Sequence, residues 1–192
     1  AARKVRWGHS GDYVLHDVHF DAAGDLNITL DPIGRLRLPL PFRAHALNVA
    51  LSCAVAHQHE VTEFEAPLRA ACGNMARFRV RQVGGLTVLD DSYNANPTSM
   101  AAALEALAAR PTKGRRYAAL GAMLELGAGA AAYHRTRGEQ AAAAADVVYA
   151  YGPHAEDTVA GARAAGQAEA HVYRAHAAIA ADVAERAQPG DV

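Results

Sequence analysis

The sequence predicts an α/β fold: a C-terminal parallel sheet flanked by helices, preceded by a β-rich and partly helical segment. Two patterns carry this. After Asp91, short apolar runs alternate with helix-length amphipathic runs, the signature of strands joined by helical crossovers. Residues 12–42 instead break into short alternating bursts separated by Gly, Asp and Pro, as antiparallel hairpins do. A third observation makes a packed core expected, since 51% of the 192 residues are apolar.

In chain order, "YVLHDVHFD", "LNITLD" and "RLRLPLP" are the early strands. "RAHALNVALSCAVAH" follows as a helix whose period puts Leu47, Leu51, Ala54 and Val55 on one face. Residues 62–72 form a second, shorter helix, and "RFRVRQVGGLTVLDD" a hairpin turning at Gly84-Gly85. Then come helix 97–109, strand 115–120, helix 130–144, strand 146–151, helix 153–165, strand 170–174 and helix 176–187. "EQAAAAAD" needs no function, because alanine is the best helix former.

Several classes of function are disfavoured. With 19 basic against 20 acidic side chains there is no electrostatic reason to expect nucleic acid or an anionic membrane as partner. No run approaches eighteen apolar residues, so no membrane insertion is expected, and the start lacks the apolar core of a signal peptide. Cys53 and Cys72, the two cysteines, sit in apolar helix-like segments and read as buried thiols of a cytoplasmic protein. The ten histidines include no metal-ligating spacing. "GAGAAA", residues 127–132, imitates a dinucleotide fingerprint, but the strand before it ends several residues too early. No Gly-x-Ser-x-Gly elbow is present. Both ends read as cut, since the chain lacks an initial methionine and stops at "AQPGDV", a turn that ordinarily leads into a strand.

The densest polar stretch is "VLDDSYNANPTSMAAALEAL", residues 88–107. "LTVLDD" ends a strand, Asn96 suits a helix cap, and Pro97 suits the first turn, where its missing N–H would have no partner. Tyr93 and Asn94 therefore lie at a carboxyl strand edge beside a helix N-terminus, where open α/β sheets bind ligands. The same residues could equally serve only turn and cap hydrogen bonds.

"LDDSYNANPTSMAAAL", followed by "GAMLELG" and "YHRTRG", resembles the Mur ligase family, and within it the enzymes that add D-Ala-D-Ala to UDP-N-acetylmuramoyl-tripeptide. Ala122 stands where that family carries an acid, and His134 is the histidine that follows the motif. "HALNVALSCAVA" is similar to another family helix, with Ala46 in place of an asparagine; "MARFRV" is similar to the segment bearing a family arginine. The resemblance runs from about residue 12 to the end. It implies a β-rich and helical remnant of a central ATPase domain at 1–73 and a Rossmann-like C-terminal domain at 74–192, lacking its last segment, with Gly73 and Asn74 as a hinge.

The implied activity is ATP-dependent amide formation through an acyl phosphate, in a monomeric cytoplasmic enzyme. By resemblance His45 and Asn48 lie by the adenine, Asp91 holds the ribose hydroxyls, and Arg77 faces the phosphates as a catalytic group. Tyr93, Asn94, Asn96, Thr98 and Leu126 border the dipeptide or the peptide end. Met123, Leu124 and Leu126 have core packing as an equal alternative. ATP and Mg2+ are the implied cofactors, with metal ligands outside the segment, as is the phosphate loop: G-x-x-x-x-G-K-[ST] occurs nowhere in the chain. Alternatives are a paralogous ligase of the folylpolyglutamate synthase or diaminopimelate-adding type, a nucleotide- or peptide-binding module without chemistry, and a scaffold segment of a longer polypeptide.

Overall fold

The computed structural model describes residues 6–73 and 79–192. The chain divides into two compact units, Ala1–Ala76 and Arg77–Val192. Arg77 and Asn74 lie outside the described residues, while Gly73 closes a helix.

The first unit is a four-stranded sheet backed by two helices. Its strands are β1 (Trp7–Gly8), β2 (Tyr13–Phe20), β3 (Leu26–Asp31) and β4 (Gly34–Leu38), in that order across the sheet. β2 to β4 are antiparallel, as the alternating bursts predict, whereas the two-residue β1 pairs parallel to β2 and was not anticipated. Leu26, Ile28 and Leu30 point inward at every second position of β3 and are essentially inaccessible.

Helix α1 (His45–Gln58) corrects one expectation. Its inward face is Ala46, Val49, Ala50, Cys53 and Ala54, while Leu47, Leu51 and Val55 are 39%, 41% and 54% exposed. Small side chains let the helix approach the strands closely, so the largest apolar groups are turned away from the sheet. Burial pushes the Cys53 thiol up to about 11 and raises that of Cys72, which sits half-buried near the end of α2 (Glu65–Gly73). Tyr13 ties the unit together from inside, its hydroxyl bonded to His57 Nδ1 at 2.8 Å and accepting from Gln58 Nε2 at 2.7 Å.

The second unit begins with a hairpin, β5 (Arg79–Val83) and β6 (Leu86–Asp90). Gly84 and Gly85, at φ +59° and +85°, supply the two positive torsions that a two-residue turn of matching twist requires. Then alternate α3 (Pro97–Ala109), β7 (Tyr117–Leu120), α4 (Ala130–Ala144), β8 (Val147–Tyr151), α5 (Ala155–Ala164), β9 (Ala170–Tyr173) and α6 (His176–Arg186). β7, β8 and β9 are parallel neighbours in chain order. Helices α3, α4 and α5 share one core with Ala118, Val148 and Ala150, and α6 covers the other face through Ile179 against Val147 and Tyr149. Helices on both faces explain why β8 is buried almost throughout.

Two further features fix this unit. Helices α4 and α5 meet through glycines: a Cβ on Gly138 would lie 1.9 Å from the Thr158 carbonyl oxygen, and one on Gly161 would lie 2.0 Å from that of Arg135. The final residues bridge hairpin and sheet. Gly190 N–H donates to Gly85 O and Thr87 N–H to Asp191 O on one side; Val192 N–H donates to Arg115 O and Tyr117 N–H to Val192 O on the other. The buried Asp191 carboxylate fastens the same corner by accepting from Arg115 N–H at 2.7 Å and Gln188 N–H at 2.8 Å.

On the α6 face, Arg186 bridges Glu169 and Asp182, Arg115 also pairs with Glu169, and the buried Tyr149 hydroxyl donates to Asp182. Bonds from Arg115 and Arg186 hold Glu169 below the usual carboxylate range, and the Tyr149 hydroxyl does the same for Asp182. Carboxylates depressed in the folded state stabilise it above their unfolded values of about 4, and that contribution is lost as pH falls through the folded values. Thermal melts should therefore fall as pH is taken down through and below about 4, and Glu169→Gln should flatten the fall. An unchanged profile in the variant would show that the acid sensitivity arises elsewhere.

Candidate functional site

The polar turn after β6 is built from its own side chains. Asp90 Oδ1 accepts from the Ser92 hydroxyl at 2.6 Å and its Oδ2 lies 3.3 Å from Arg81 Nη2. The Ser92 bonds, reinforced by Arg81, keep the Asp90 carboxyl low. Asn94 Oδ1 accepts from Ala95 N–H at 2.9 Å. Asn96 then caps α3, its Oδ1 accepting from Ser99 N–H at 2.9 Å while Asn96 N–H donates to Ser99 Oγ at 3.1 Å, with Pro97 in the first turn. Asn96→Ala should thus lower the unfolding free energy by about 1 kcal/mol in denaturant titration, with Asn96→Asp near wild type. A neutral alanine variant would remove the cap from the account of this turn.

The turn opens onto a cleft of about 880 Å³. Asp91, Ser92 and Asn94 of the turn line it together with Leu124 and Glu125 of the loop after β7, and Leu89, Leu104 and Ala118 belong to its apolar lining. These two loops follow the carboxyl ends of β6 and β7, where α/β sheets present their binding loops. Asp91 is half-buried; Tyr93 is 69% exposed, and Thr98 is exposed in the first turn of α3.

Residues 121–126 leave β7 as an irregular loop before the 3-10 turn Gly127–Gly129. Met123 is buried in the core, Leu124 is 68% exposed, and Glu125 takes φ +62°. Leu126 packs partly buried against the core instead of lining the cleft, a position its two loop neighbours take. Alternation was the available signal: once Met123 faces inward, an extended loop turns Leu124 outward.

Asp91, Asn94 and the α3 start are therefore brought together, with Tyr93 and Thr98 exposed on the same turn. His45 and Asn48 belong to the first unit, in the first turn of α1. His45 is half-buried, packed edge-on against Phe42 at 5.1 Å, and burial lowers its pKa. Asn48 is exposed. Among the described residues no group of three His, Cys, Asp or Glu is arranged to hold a metal ion, and no helix is long and apolar enough to cross a membrane.

The family described as Mur ligase, glutamate ligase domain matches residues 76–192, which contain the whole cleft. The chain belongs to the Mur ligase family. UDP-N-acetylmuramoyl-tripeptide–D-alanyl-D-alanine ligase of Escherichia coli is 36% identical over 142 residues, covering 70% of this chain and 30% of that enzyme. The Mur ligase fold extends to both units. MurF ligase of Thermotoga maritima, solved in complex with ADP, superposes with a TM-score of 0.76 at 26% identity, over 96% of this chain and 43% of that one. A MurF structure from Acinetobacter baumannii gives 0.80 at 25% identity, over 96% and 41%. The chain thus spans less than half the length of the Mur ligases it matches.

Proposed function

We propose that this Mur ligase chain serves in an ATP-dependent ligase that joins D-Ala-D-Ala to UDP-N-acetylmuramoyl-tripeptide during peptidoglycan precursor synthesis. The observation that carries the reading is the turn Asp91–Asn96. It sets Asp91, Ser92 and Asn94 of the sequence DSYNAN in the lining of a largely apolar cleft, in a chain similar to relatives named for that reaction.

A carboxylate is a poor acyl donor. In the proposed reaction ATP phosphorylates the tripeptide carboxylate, and the dipeptide amine attacks the acyl phosphate. The tetrahedral intermediate then collapses to amide and phosphate. Asp91 would bind ribose hydroxyls, for which an ionised carboxylate is a strong acceptor. His45 and Asn48 would flank the adenine, and Arg77 would face the phosphates, where a guanidinium matches oxyanion geometry. Tyr93, Asn94, Asn96 and Thr98 would border the amine substrate, while Leu126 would support from the core the loop that faces it. Asn96 can do so only through groups its cap leaves over. Their contribution would be positioning and charge neutralisation. Mg2+ finds no donor set among the described residues, so no step is assigned to it here.

Phosphate release by the complete protein, measured with UDP-N-acetylmuramoyl-tripeptide and a panel of amines, tests the reading. Release is expected with D-Ala-D-Ala and not with glutamate or diaminopimelate; preference for either of those would establish a paralogous ligase instead. The 192-residue chain alone, which carries no phosphate loop in its sequence, should neither hydrolyse ATP nor ligate.

A further inference from the structure

His134 is 1% exposed, an unusual place for an imidazole, and both of its ring nitrogens are engaged. Nε2 accepts from the main-chain N–H of Met123 at 2.9 Å, and Nδ1 lies 2.8 Å from the carbonyl oxygen of Ala130. A carbonyl oxygen only accepts and an amide N–H only donates, so the two partners dictate the ring's state. Nδ1 carries the single proton and Nε2 presents a lone pair. The ring spans from the first turn of α4 back to the loop that leaves β7, and the ring of His154 stacks on it at 4.9 Å.

The consequence falls on the cleft. Met123 is held twice, by its side chain in the core and by its N–H on His134. With that residue fixed, Leu124 and Glu125 are carried into the lining of the cleft that Asp91 and Asn94 also line. The bond from the Met123 N–H to the imidazole thus fixes the middle of the loop, between the end of β7 and the 3-10 turn that begins after Leu126.

We propose that His134 is a positioning residue, a neutral, tautomer-fixed clamp that sets the part of the cleft lining formed by Leu124 and Glu125 and so tunes affinity for the amine substrate. The assignment of that lining to the amine rests on the proposed ligase function; the clamp itself does not.

Nitrogen-15 spectra of this chain should show a protonated Nδ1 and an unprotonated Nε2 for His134. The Met123 amide should exchange roughly a hundredfold more slowly than in His134→Leu, which removes the acceptor but keeps the apolar bulk. His134→Gln, whose amide oxygen can reach the same N–H, should restore much of that protection. In the complete ligase His134→Leu should raise KM for D-Ala-D-Ala about tenfold while leaving that for ATP within about twofold, and His134→Gln should lie close to wild type. A protonated Nε2, a fast-exchanging Met123 amide in the wild-type chain, or equal KM changes for both substrates would overturn the proposal. Should the wild-type protein ligate no amine, the proposed function falls, while the spectra and exchange still decide the clamp.

Discussion

Gly138→Ala is expected to destabilise the second unit by about 3 kcal/mol, lowering its melting temperature by roughly 10 °C. Adding a methyl to a helix ordinarily helps by about 1 kcal/mol, because glycine is the worse helix former. Here the methyl would arrive 1.9 Å from the Thr158 carbonyl oxygen, and that oxygen belongs to a helix backbone that no rotamer change can move aside. The helices must separate, and the buried layer of Ala141, Val159 and Ala162 around the contact separates with them. Gly161→Ala should behave alike, since its methyl would meet the Arg135 carbonyl at 2.0 Å. Glu139→Ala, one position along but exposed, should change the melt by less than about 0.5 kcal/mol. A Gly138→Ala melt indistinguishable from that of Glu139→Ala would mean that α4 and α5 are not packed this closely.

In the complete ligase, Asp91→Asn should raise KM for ATP by roughly 10- to 100-fold while changing that for D-Ala-D-Ala by less than about threefold. Charge-assisted bonds from a carboxylate to hydroxyls are worth about 1.5 to 3 kcal/mol, and the amide is nearly isosteric but uncharged. Asp90 makes the natural control. Its carboxylate is engaged by Ser92 and Arg81, so Asp90→Asn should act mainly on stability. Equal effects of Asp91→Asn on both substrates would remove Asp91 from the ribose.

What the sequence made legible follows the range of the forces involved. Helices 97–109 and 130–144 end where expected because their limits are set locally, by the Asn96-Pro97 start in one case and an alanine run in the other. The Gly84-Gly85 turn is similarly local. The inward face of α1 was misread because periodicity favours the largest apolar side chains, whereas close approach to a sheet selects Ala46, Ala50 and Cys53. At the site, turn chemistry exposed Asp91, Asn94 and Asn96 to sequence reasoning. Glu125 escaped it and Leu124 stayed open between core and site, because which loop residue faces the cleft depends also on a hydrogen bond eleven residues away, from Met123 to His134.

The bridge made by Gly190, Asp191 and Val192 bears on where this unit yields first. Segments outside helices and strands ordinarily open first, because few hydrogen bonds hold them. Residues 190–192 belong to no helix or strand, yet they are interior in the hydrogen-bonding sense, flanked on both sides by main chain. The amides of Gly190 and Val192 should therefore exchange with solvent at rates typical of the sheet. Weakening that bridge, for example with Asp191→Ala, should free the hairpin to open apart from β7–β9, turning one cooperative block into two.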